Sequence, residues 1–519
     1  MRLRRGIVAL VVLGSVQLPA AMRASAATNA VTFPSSVTFP IVTLPVFDTG
    51  PRLAVTVRND TASSVKLGVP RIEGANAALF SIVGVKEPRT VLPGDAWAYN
   101  VEFLPYVGGT YRATLAFSTN GADHAVDLVG TARSEVVLGG NLAGYRFVAM
   151  SPLRVLDSRT GLGWSGVVPA GGTQVLTLPA GTIDAAAGAV VLNVTTTNTT
   201  GPGYVTVWPA GKPQPTASNL NVERAGQTIA NLATVGLGAG GTIAFFSTST
   251  SDLVADIAGY FLPTAPTASG RYQPVMPARL LDTRDTGGPF IPGEQRDLAV
   301  TGRGGVPPTG VSAVMLNLTS TNAAGAGFVT VWPAGIVRPV VSNVNTDSVG
   351  QTIANQVVVS LPASGKLSLY SHQRSDVVVD VVGWYTDASA AVDVVGLFFP
   401  VGPLRLLDTR VAGPVAGRDV IAVIDATAAG VSADATGVTA NVTAVDALDR
   451  GYVTVWSGAG SPPLASNLNL DRPGQTVPNQ VTSPLATGHF SIYTQNGSGL
   501  VVDITGFYRD VGKTAFAAR

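Results

Sequence analysis

Residues 203–231 read GYVTVWPAGKPQPTASNLNVERAGQTIAN, and the stretch returns at 327–355 as GFVTVWPAGIVRPVVSNVNTDSVGQTIAN and at 451–479 as GYVTVWSGAGSPPLASNLNLDRPGQTVPN. Trp208, Trp332 and Trp456 hold equivalent places, 124 residues apart each time. Most of the chain is therefore one unit used three times. A unit of this length is far above that of solenoid repeats, so each copy is expected to bury a core of its own. Within the stretch Tyr204, Thr206 and Trp208 alternate with Val205 and Val207, the period-two signature of a strand.

The flanks repeat as well. Each copy opens on PLRVLDSR (152–159), PARLLDTR (277–284) or PLRLLDTR (403–410). An asparagine-bearing strand follows: VVLNVT (190–195), VMLNLT (314–319) or VTANVT (438–443). Each copy closes on an aspartate-bearing strand: LVADIAGYF (253–261), VVVDVVGWY (377–385) or LVVDITGFY (500–508). No window carries a capped run of helical periodicity. About eight strands per copy, in a jelly-roll-like or Greek-key sandwich, are expected. The copies span 145–262, 271–386 and 397–510. Short linkers poor in large apolar residues, PTAPTASG (263–270) and DASAAV (387–392), predict independent beads on a string.

Ahead of the repeats, residues 31–134 alternate differently. Leu53, Val55 and Val57 point one way, Arg52, Thr56 and Arg58 the other, and the run ends on the turn pair Asn59-Asp60. Further strands read at 65–69, 96–103, 109–118 and 125–130, spaced as in an antiparallel sandwich. The expected fold class is all-β: an N-terminal Ig-like sandwich and three homologous β-sandwich repeats.

Composition agrees with this class. Charged residues make up 13% of the 519 and hydrophobic ones 46%, with 59 Gly and 35 Pro, which suits short strands and tight turns. There is no cysteine, so no disulfide can staple a domain and each needs an apolar core. Arg2, Arg4 and Arg5, the apolar run 7–16 and Ala24-Ser25-Ala26 read as a secretion signal over 1–26. The run is too short to span a bilayer. Its removal takes four arginines from 33 bases set against 32 acids, leaving a formal charge of about −3. That balance argues against nucleic acid or an anionic membrane as partner. A secreted protein with no membrane span in the mature chain is expected.

Comparing the copies isolates the polar groups the unit always keeps. Arg154, Asp157, Arg159 and Asp256 correspond to Arg279, Asp282, Arg284 and Asp380, and to Arg405, Asp408, Arg410 and Asp503. Asp256 and its equivalents lie in apolar strands, where a lone carboxylate is costly, so an arginine partner is expected. The structural reading is an ion pair tying the first strand to the last. A paired-carboxylate glycosidase needs a raised acid in a cleft, and here each acid has a base.

The second set is amide-rich. Asn193, Asn219, Asn221, Gln227 and Asn231 recur as Asn317, Asn343, Asn345, Gln351 and Asn355, and as Asn441, Asn467, Asn469, Gln475 and Asn479. Amides donate and accept, so they can satisfy turn backbone. Beside an exposed Tyr204, Trp208, Trp332 or Trp456 they can instead match sugar hydroxyls under a stacking ring. Both readings stand at this point. The three histidines lie in unrelated places, and no zinc, serine-hydrolase or phosphate-loop motif is present. No catalytic residue, cofactor or metal is expected.

Two resemblances follow from these residues. The order VTVRN, ALFSI, LPGDAWAYNVEFLP, GTYRATLAFSTN and HAVDLVGTA, with Phe103-Leu104-Pro105 and a last strand ending at Gly130, resembles the Ig-like domains of the ASPM/SPD-2/Hydin type, the "choice-of-anchor D" modules of bacteria. It implies a spacer or interaction module. The LDTR, VTVWPAG, SNLN and GQTIAN marks resemble an extracellular repeat of secreted proteins from high-GC Gram-positive bacteria, which implies an extracellular address and no established activity. Together these predict a non-enzymatic cell-surface protein that binds glycan, cell-wall polymer or other surface proteins multivalently. The alternative is a structural stalk or a self-assembling surface protein.

Overall fold

Alternation builds the N-terminal module. In the strand Arg52–Asn59, Val55 and Val57 are buried while Thr56 and Arg58 face solvent, as a half-buried strand requires. It lies between Val31–Thr32 and Ala96–Phe103, with Phe80–Val83 beyond. A second sheet is organised on the long hairpin Gly109–Thr119 and Ala122–Ser134. The result is an Ig-like β-sandwich. Phe103 fills its centre, and a Cβ on Gly130 would meet that ring at 2.5 Å, which is why the last strand needs a glycine there. The computed structural model describes residues 30–44 and 51–509, apart from 75, 85–86, 104, 106–108, 135–143, 264–266, 413–418, 433 and 459. The expected leader at 1–26 lies outside the described residues.

Each copy is a sandwich of two four-stranded antiparallel sheets. In the first copy the strands are Tyr145–Asp157, Gly172–Thr177, Ala189–Thr197, Gly203–Pro209, Leu220–Val222, Ile229–Gly236, Thr242–Ser247 and Asp252–Pro263. Taken as first to eighth, they order 6-3-8-1 in one sheet and 2-7-4-5 in the other, a jelly-roll arrangement. The 2-7-4-5 sheet is the outer one. Its second strand alternates, with Thr173 and Val175 exposed and Leu176 buried. The 6-3-8-1 sheet is the inner one, and its third strand is buried at all nine positions.

That two-sided burial has one cause: the copies are not separate beads. They close into a pseudo-threefold head whose inner sheets face one another, correcting the expectation of independent units. Phe147 stacks on Tyr385, Tyr272 on Tyr508 and Phe398 on Phe261, with centroids 4.3, 4.3 and 4.2 Å apart. Each pair joins the first strand of one copy to the last strand of the next, around a closed ring. Gly259, Gly383 and Gly506 make room for it, since a Cβ at any of them would lie within 2.4 Å of the ring of Phe147, Tyr272 or Phe398. The linkers take part as well. Thr267 bridges to Asp393, and Arg271 donates to the carbonyls of Ala391 and Val395. Short tethers hold the copies at high effective concentration, so an apolar inner face closes within the chain. The inner sheets of the first and third copies also join edge to edge, through Tyr145 and Phe398.

Candidate functional site

The arginine–aspartate row sits on the inner sheet because Arg154, Asp256 and Asn193 are cross-strand neighbours. Arg154 Nε donates to Asp256 Oδ1 at 2.8 Å and Nη2 to Oδ2 at 3.3 Å, while Nη1 reaches Asp157 at 3.2 Å. Arg159 adds bonds of 2.8 and 2.7 Å to the two oxygens of Asp157. The second and third copies repeat this, with Arg279–Asp380 and Arg405–Asp503 both at 2.7 Å. Arg284 and Arg410 bind Asp282 and Asp408. The Arg159 and Arg284 guanidinium groups hold the Asp157 and Asp282 carboxyls below the usual carboxylate range. Burial pushes Asp256, Asp380 and Asp503 up, against the pull of their arginines. Every carboxylate oxygen in the row accepts from a guanidinium, which leaves no acid and base poised over a cleft.

The amide set is brought together by the ring of copies. Asn231 donates to Asn219 O at 2.6 Å and to Asn441 Oδ1 at 2.8 Å, and accepts from Gln480 N at 2.9 Å. Asn355 does the same with Asn343, Asn193 and Leu232 N, and Asn479 with Asn467, Asn317 and Gln356 N. Asn193, Asn317 and Asn441 in turn donate to the carbonyls of Ser342, Ser466 and Ser218, each in the next copy. Asn219, Asn343 and Asn467 each accept one backbone N–H of their own sheet. Asn221, Asn345 and Asn469 accept from serine hydroxyls within their own loops.

The tryptophans do not serve as stacking platforms. Trp208, Trp332 and Trp456 are 5%, 0% and 1% exposed. They lie on the outward side of the outer sheet but beneath the loop that follows, where Trp208 and Trp332 donate to the carbonyls of Lys212 and Ile336. The third copy has Ser457-Gly458 in place of Pro-Ala, and there Trp456 Nε1 has no partner among the described residues. The platform role expected for these rings is corrected by their burial, and the same burial takes Asn231, Asn355 and Asn479, each 1% exposed, away from any ligand.

Tyr204 is the member of the expected set that stays outside, at 38% exposure. It pairs with Phe246, centroids 6.0 Å apart. The other copies repeat the pair as Phe328 with Tyr370 at 5.9 Å and Tyr452 with Tyr493 at 5.8 Å. All five further rings are part-exposed. Arg338 lies over the Tyr370 ring at 3.6 Å, and the Tyr493 hydroxyl donates to Asp419. Sequence reasoning missed Phe246, Tyr370 and Tyr493, although an aromatic recurs at that place in all three seventh strands.

A polar cavity of about 270 Å³ lies where the three GQT turns meet, lined by Gln227, Gln351 and Gln475 among others. Around it the copies are stitched through acids. Asp347 accepts from Thr228 N, Asp471 from Thr352 N and Glu223 from Thr476 N. Arg224 pairs with Asp347 at 3.5 Å and Arg472 with Glu223 at 2.9 Å. Among the described residues no group of three or more His, Asp or Glu could hold a metal ion, and no helix is long and apolar enough to cross a membrane.

No family model matches the chain, and no curated protein matches it. Solved structures give distant likenesses. A PapD-like (ASH) domain of human CEP192 is 14% identical over 23% of this chain and 97% of its own, with a TM-score of 0.16. The secreted serine protease VesC from Vibrio cholerae is 15% identical over 46% of this chain and 52% of its own, with a TM-score of 0.17. The Bacteroides ovatus SGBP-B, solved with a mixed-linkage heptasaccharide, is 11% identical over 94% of this chain and 98% of its own, with a TM-score of 0.13. Likenesses this low carry no argument about activity.

Proposed function

We propose that this chain is a non-enzymatic protein of the cell exterior whose threefold head binds glycan or a cell-wall polymer through its three outer aromatic pairs. The carrying observation is repetition at the surface. Tyr204 with Phe246, Phe328 with Tyr370 and Tyr452 with Tyr493 keep aromatic rings beside solvent in every copy. Exposed rings offer a sugar a stacking face, and three weak sites at fixed spacing gain avidity without further contacts. The leader-like stretch at 1–26 supports the exterior address. The test is co-sedimentation with a panel of insoluble polysaccharides and isolated cell walls. Replacing Tyr204, Phe328 and Tyr452 together by Ala is expected to weaken binding by roughly 100-fold or more, and replacing one of them far less. A triple variant that sediments like the parent chain sinks this reading. It would leave the structural stalk, which is favoured by how completely the shared amides are consumed between copies.

A further inference from the structure

The GQT turns place three glutamines around one cavity with their donors unspent. Each side-chain carbonyl caps its own turn: Gln227 accepts from Glu223 N at 2.7 Å, Gln351 from Asp347 N at 2.6 Å and Gln475 from Asp471 N at 2.6 Å. The amide nitrogens have no acceptor among the described residues. Gln227 and Gln475 are only 6% and 7% exposed, and both line the cavity, where a ligand acceptor can meet their amide donors.

The charges around the cavity break the threefold symmetry in one place. The first and third copies carry Arg224 and Arg472, which neutralise Asp347 and Glu223 across the copy boundaries. The second copy has Ser348 at that position, and its partner Asp471 takes only the Thr352 N–H. Arg450, present in the third copy alone, lines the cavity instead. Its guanidinium makes no hydrogen bond among the described residues. The three acids each accept a backbone N–H, and Asp471 also faces the charge of Arg450; the glutamine amides and the Arg450 guanidinium are donors without a hydrogen bond among the described residues.

We propose that this axial cavity is a binding site for one small anionic group, a carboxylate or a phosphate, held by the glutamine amides and Arg450. A guanidinium with converging N–H donors suits either oxyanion, and the space fits a single acidic sugar or phosphate ester. The site uses none of the outer rings, so it stands apart from the glycan reading and is tested by different residues.

The experiment titrates the full chain by calorimetry with inorganic phosphate and, separately, with glucuronate. Saturable binding of one anion per chain is expected. Binding of phosphate alone assigns a phosphate-bearing ligand, and binding of glucuronate alone assigns an acidic sugar. Arg450→Ala is expected to weaken binding at least tenfold. Gln475→Glu should do the same, because it keeps the carbonyl cap on Asp471 N while replacing the donor with a second acceptor. Thermal melts of both variants near that of the parent chain establish that the fold is kept. Absence of binding by either anion overturns the proposal, as does binding that neither variant weakens.

Discussion

The inner and outer sheets of each copy have four strands apiece and share one core, yet they treat polar residues in opposite ways. On the outer sheet the second strand of the third copy leaves Ile421 and Val423 exposed at 49% and 67%, and a substitution there meets water. On the inner sheet the third strand is buried on both faces, its Asn193, Asn317 and Asn441 donate to another copy, and Asp256, Asp380 and Asp503 each pair with an arginine of their own copy. The lesson is that an apolar strand bearing one Asn or Asp in every copy reports a second buried face, and that face here is an interface within the chain.

The sharpest way to break this contrast is to remove one partner of the most buried ion pair. Asp503 is 1% exposed and Arg405 is held beside it, so Asp503→Ala leaves a cation in the interface and is expected to cost about 3–5 kcal/mol in urea unfolding. A cost below about 1 kcal/mol would show that water reaches the row. Next in size is Asn355→Ala. It removes donations to Asn343 O and Asn193 Oδ1 and orphans Leu232 N–H, for an expected loss of roughly 2–4 kcal/mol. Val423→Thr on the outer sheet is the control and should stay within about 0.5 kcal/mol of the parent. Equal effects from the two would erase the distinction between the sheets. The smallest predicted difference lies under the covering loops. Trp332→Phe loses a hydrogen bond to Ile336 O that Trp456 does not make, so it should cost about 1 kcal/mol more than Trp456→Phe. Thermal melts of the two variants measure it, and a larger loss for Trp456→Phe would mean that its nitrogen has a partner.

Much of the architecture was legible beforehand because it rests on local pattern. Period-two alternation around Val55 and Val205, and turn residues between strands, locate strands whatever they pack against. That Asp256 needs an arginine followed from the cost of a lone carboxylate in an apolar strand; that the arginine is Arg154 took the register of the first strand against the last. The candidate site was less legible. Trp208 alternates with Val207, which sets the two on opposite faces of the strand without saying what covers either; the loop that closes over the indole, with Lys212 O accepting from it, shows only in the fold. The amides were readable as needing partners but not as to which, since an amide satisfies a sugar hydroxyl and a facing backbone equally well. The outer aromatic pair needed the register of the fourth strand against the seventh before Tyr204 and Phe246 could be set side by side.

The amino-acid sequence by itself determined a thiol-free, all-β chain with one sandwich unit written three times, because strand periodicity and internal repetition are local properties. Only the tertiary structure decided that the three units close on one another, and so turned their shared amides from candidate ligand groups into the seams of a ring. Asn355 and Leu232 lie 123 residues apart and Asn231 and Gln480 249 apart. Contacts at such separations depend on how whole sheets dock, which no single strand's pattern encodes.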